Sequence, residues 1–128
     1  MIETDIERLI RVLKQQAELF LLDAKEFYPF GTYINMQDEI VPVGAYPGGN
    51  HPLSSDVIDL LERSFKESIR LRECKIGAIA LDILIRKNGE AEDGIEIRFF
   101  EGDKDVYNQY FKYVINNSDV EFYAFGPD

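Results

Sequence analysis

His51, Ser54, Ser55 and Cys74 are the side chains whose types could support nucleophilic catalysis, and their spacing argues against it. A serine or cysteine nucleophile needs a neighbouring base, and His51 is the single histidine of the chain. Ser54 and Ser55 follow it closely in "GGNHPLSSD", yet neither sits in a G-x-S-x-G turn, and no oxyanion element is legible. Cys74 has no CxxC companion and reads as a buried, inert thiol. Metal binding has no better support: HExxH, paired CxxC and DxDxDG patterns are absent, and "EGDKD" at 101–105 lacks the glycine and terminal glutamate of a calcium loop. The glycines of "PGGN" offer backbone N–H groups ahead of a helix start. No G-K-[ST] or G-x-G-x-x-G follows, and Asp56 and Asp59 would repel a phosphate there. With 24 acidic residues, any chosen pair of carboxylates carries no information about acid–base chemistry. The chain is expected to be non-enzymatic, without metal or cofactor.

The 24 acidic residues stand against 14 basic ones, a formal charge of −10. Nucleic acid and anionic membranes would be repelled by such a surface, whereas a basic protein would be attracted to it. Hydrophobic residues make up 45% of the 128 positions, which is typical of a globular fold, and this length supports one domain over residues 1–128. A single cysteine forbids an internal disulfide, the first residues are acidic where a secretory signal would be basic, and no apolar run reaches 18 residues. A cytoplasmic setting is the expectation.

Any site must be positioned by the elements that the patterning predicts. Ile2, Ile6, Leu9, Ile10, Leu13, Ala17, Phe20, Ala24 and Phe27 recur at helical spacing, and Thr4 with Glu7 forms a capping box at the start of this first helix. "FYPFGTYINMQDEIVPVGAY" reads as strands at about 30–35 and 39–45, with Pro42 placing the second at an edge. A second helix follows the 46–56 loop, capped by Ser54 with Leu53 stapled onto Ile58, and ends near Arg72 or Glu73. Two long strands then carry Ile79, Leu81, Ile83 and Ile85, and Ile95, Ile97 and Phe99. "DVYNQYFKYVINN" is assigned as a strand over a short helix, and "VEFYAF" as the last strand.

The predicted class is therefore α+β: an antiparallel sheet of five or six strands with two helices on one face, in the order α-β-β-α-β-β-β-β. In outline this two-layer order resembles the roadblock and profilin-like families. With the Ile/Leu/Phe set directed at the helices, Asp82, Glu96, Arg98, Phe100, Glu121 and Tyr123 fall on the opposite face. These six are the candidate protein-binding residues, acidic and aromatic together.

The segment from Phe27 to Tyr46 also resembles a group of small bacterial proteins marked by an aromatic-P-F-G start and a later P-V. The matching positions are Phe27, Pro29, Phe30, Gly31, Asp38, Pro42 and Val43. Some members look like immunity proteins of toxin systems, so the resemblance implies a protein-binding inhibitor with no catalytic set. A roadblock-like homodimer is the alternative. A small-ligand sensor or enzyme using the His51 loop is a third.

Overall fold

The computed structural model describes residues 2–44, 53–102 and 107–125. His51 and most of the 46–56 loop lie outside these residues, as does most of "EGDKD". The elements are α1 (Asp5–Ala24), β1 (Phe30–Asn35), β2 (Ile40–Val43), α2 (Ser54–Arg70), β3 (Cys74–Lys87), β4 (Glu90–Phe100), β5 (Tyr107–Ile115) and β6 (Val120–Phe125). They form one six-stranded sheet in the order β2-β1-β3-β4-β5-β6, with every neighbouring pair antiparallel. The α+β class and the predicted element order both hold, and the ambiguous 107–115 segment is a strand.

Local chemistry accounts for most boundaries. The Glu7 N–H donates to Thr4 Oγ1 at 3.1 Å while the Thr4 N–H donates to Glu7 Oε1 at 3.0 Å, so the capping box is complete. α1 stops where Lys25 turns left-handed at φ 64° and its N–H closes on the Leu21 carbonyl. Between β1 and β2, Asn35 Oδ1 accepts the N–H groups of Gln37 and Glu39, and Asp38 takes the left-handed position. Asn88 and Gly89, at φ 54° and 82°, make the two-residue turn that joins β3 to β4. Pro42 does lie on an edge strand. α2 differs at its start: Leu53 occupies the cap position with no side-chain hydrogen bond, so Ser54 is the first helical residue and not the cap, and Leu53 is exposed.

The helices do not share a face. Leu9, Leu13, Ala17 and Leu21 of α1 pack with Ile76, Ala78, Ala80, Ile95, Ile97 and Phe99. Val57, Leu61 and Phe65 of α2 pack with Ile79, Leu81 and Phe100 from the other side. The expected two-layer arrangement is thus corrected to α1, sheet and α2 in three layers. The reason is register. The pairs Ala80↔Ile97, Leu81↔Glu96 and Ile79↔Arg98 put the Ile79/Leu81 set and the Ile95/Ile97/Phe99 set on opposite faces, so each needs its own cover. The sheet curls, and α1 reaches from β1 and β3 across to β6.

Candidate functional site: an acidic groove below the first helix

Beyond its left-handed cap, the chain runs from α1 through Glu26, Phe27 and Tyr28 into β1. Phe27 and Phe20 hold this segment by edge-on ring contacts to Phe30, with centroids 5.3 and 5.2 Å apart. Asp82 on β3 supplies the polar anchor. Its Oδ2 accepts the Phe27 N–H at 3.2 Å and its Oδ1 accepts the Tyr113 hydroxyl at 2.7 Å, joining the segment, β3 and β5. The β3–β4 hairpin continues past the end of α1 and brings Leu84 and Asp93 beside this anchor, as the pair Leu84↔Asp93 requires.

Three hollows surround the anchor, and Glu26 borders all of them. One of about 430 Å³ is lined by Phe27, Tyr28 and Asp82. A second, about 310 Å³, lies along Phe20, Asp23 and Pro29. The third, about 260 Å³, runs along Leu84, Asp93 and Tyr113, with Lys25 also on its border. The carboxylates of Asp23, Glu26 and Asp93 make no ion pair among the described residues. Around the start of α1, by contrast, Arg8 and Lys75 bind Asp5 and Asp38, and Arg11 binds Glu3.

The electrostatics of the anchor are set first by burial and then by that unpaired charge. Burial pushes the Asp82 carboxyl above the usual carboxylate range. The hydrogen bonds from Tyr113 and Phe27 partly oppose this, and the charges of Asp93 and Glu26 reinforce it. The Tyr113 hydroxyl is also raised, first by burial and then by its bond to Asp82 and the surrounding negative charge. Asp23 and Glu26 stand at the negative dipole end of α1, where the one basic residue is the cap, Lys25, and none lies in the last turn. Among the described residues no trio of His, Cys, Asp or Glu is placed to hold a metal. With Phe20, Tyr28 and Leu84 exposed at its borders, the groove suits a cationic head on an apolar stem, as in lysine or arginine.

The six candidate residues part company. Asp82 faces α1, opposite to the other five, because it pairs with Ile95. Phe100 is buried under α2, with its ring 6.0 Å from Phe65, and is inaccessible. Arg98 binds Glu96 beside it and Glu62 of α2 at 3.3 Å, which closes off much of both. Glu121 and Tyr123 remain exposed on β6, where the tyrosine hydroxyl donates to the carboxylate. Glu26, Tyr28, Asp93 and Tyr113 were not singled out by sequence. The two-residue Asn88-Gly89 turn was the available signal, since counting back from it pairs Asp82 with Ile95 and Leu84 with Asp93.

Cys74 is buried, and desolvation pushes its thiol up to about 11, as an inert core cysteine requires. Among the described residues, no helix is long and apolar enough to cross a membrane. No protein-family model matches the chain, and neither a curated protein nor a solved structure is found to be similar to it.

Proposed function

We propose that the chain is a non-enzymatic binding module that docks a basic protein partner, with the groove below α1 as the receiving site. The observation that carries this reading is the company of Asp23, Glu26 and Asp93, unpaired by any cation among the described residues, with exposed Phe20, Tyr28 and Leu84. Apolar surface beside uncompensated charge is unfavourable for an isolated fold and favourable once a partner covers it. The formal charge of −10 steers a basic partner towards the protein, and the groove carboxylates then take its lysine or arginine heads. The resemblance of Phe27–Val43 to immunity-like bacterial proteins supports a more specific role, the inhibition of a basic toxin. The groove's inner wall is built from Phe27, Pro29 and Phe30 of that same segment.

The test compares capture of a partner by the wild-type chain and by D23N/E26Q/D93N, in lysate from the source organism, at low and high salt. The expected result is one basic species that is retained by the wild type at low salt, released as salt rises, and lost with the triple variant. Capture that survives both salt and the substitutions would remove the groove from the account.

A further inference from the structure

The two edges of the sheet are not alike. β2 has four residues and carries Pro42, which has no N–H to offer a further strand. β6 has six residues, with neither proline nor lysine. Its hydrogen-bond phase follows from the turn before it. The Asn116 N–H bonds the Asp119 carbonyl at 2.8 Å, and bonded and non-bonded pairs alternate along an antiparallel ladder. Val120, Phe122 and Ala124 are therefore the residues whose N–H and C=O groups turn away from β5. Glu18 of α1 accepts the outward Val120 N–H at 3.3 Å, in agreement with that phase. The Phe122 and Ala124 groups have no partner among the described residues.

A second feature lies on the same side. Lys14, 4.0 Å above the Phe111 ring and 5.7 Å from that of Phe122, and Glu18, bound to Val120, mark the flank of α1 that overlooks β6. Leu22 is four residues beyond Glu18, and Leu19 is next around the helix, away from the Leu13–Ala17–Leu21 core line. They are 37% and 69% exposed. An open strand edge and an apolar helix flank thus point outward together.

We infer that both are completed by a second copy of this chain, with β6 pairing antiparallel to β6 about a two-fold axis at Phe122. A two-fold interface must be self-complementary, and this register is. Phe122 exchanges both backbone bonds with its counterpart, and each Ala124 N–H meets the other copy's Val120 carbonyl. Glu121 of each copy stands opposite Tyr123 of the other, so the bond that joins these two side chains within one chain can be exchanged across the axis. The two α1 helices lie on the same face of the joined sheet, so their Leu19/Leu22 flanks approach across the axis. Each copy keeps its groove, because the hollow that Asp23 and Glu26 line is walled by Phe27, Pro29 and Phe30 and by no residue of β6. Two chains of charge −10 repel, so salt strengthens this association, whereas it weakens the docking of a basic partner.

That opposite sign makes the two proposals separately testable. Sedimentation equilibrium of the full chain up to about 100 µM, as befits a small interface, is run at about 0.05 and 0.5 M NaCl, which shortens the screening length several-fold. The expected result is a reversible dimer favoured by the higher salt, with amide exchange at Phe122 and Ala124 slowing as concentration rises. Ala124→Pro removes an N–H that β5 does not use, and Leu19→Glu/Leu22→Glu charges an exposed flank. Each variant is expected to remain folded by circular dichroism and to be monomeric. A chain that is monomeric throughout, or a dimer insensitive to both variants, would overturn the inference while leaving the groove's affinity for a basic partner untouched.

Discussion

Phe65 of α2 sits in a notch made by two glycines on adjacent strands, and that notch fixes how closely α2 approaches the sheet. A Cβ on Gly77 would lie 3.0 Å from Cγ and Cδ1 of the Phe65 ring and 3.3 Å from Cδ2. One on Gly31 would lie 2.8 Å from Cζ and 3.1 Å from the Ala78 carbonyl oxygen. Carbon atoms prefer separations of roughly 3.5–4.0 Å. Gly77→Ala therefore overlaps the root of the ring, where rotation gives no relief. Overpacking of this kind costs about 1–3 kcal/mol, against which replacing a strand glycine returns about 0.5–1 kcal/mol. The net expectation is a loss of about 0.5–2 kcal/mol in urea unfolding. Phe65→Leu removes the ring and is itself destabilising, but it also removes the overlap, so Gly77→Ala in that background is neutral or stabilising. The double-mutant cycle should show a favourable coupling of about 1–2 kcal/mol. Strict additivity, or a Gly77→Ala variant more stable than wild type, would refute the notch as the seat of α2.

Two further outcomes follow from the buried titratable groups. Asp82 has a raised carboxyl in the folded state, so its protonated form is favoured by folding. The stability it contributes is fully present below the unfolded value, and it is lost as pH rises through the folded one. Measured by urea midpoint, the wild type should therefore lose ground to Asp82→Asn as pH increases from 4 towards 7; a wild type that gains ground with pH would contradict the burial argument. Cys74, with its thiol pushed up to about 11, should react with a thiol reagent at pH 8 only at the rate of unfolding, and promptly in urea. Rapid native labelling would place the side chain outside the core.

Thr4 and Glu7, the order of the elements along the chain and the edge position of Pro42 are legible because each depends on chemistry within a few residues. The faces are not legible from alternation alone, because the two apolar sets belong to separate cores on opposite sides of the sheet. The run Ile76–Leu81, with no polar break, is the mark of a strand buried on both sides, and it pointed to a helix on each face. Phe100 was misplaced for the same reason: the residue that looked outward from one helix looked inward to the other. The groove lay deeper still, since its anchor joins Phe27 to Asp82 across 55 positions. No local pattern encodes such a meeting. It exists only once the hairpin register and the end of α1 are both set.

The two-sided burial of β3 divides its residues into interleaved sets that answer to different helices. Ala78 and Ala80 are kept small beneath α1, whereas Ile79 and Leu81 fill the space beneath α2. Residues adjacent in the chain are therefore nearly independent in what they tolerate, while residues two apart are bound together. A single inserted residue would exchange the small set for the large one on both faces at once. The centre of this molecule can thus drift over evolutionary time by substitution within either set, but not by a change in length.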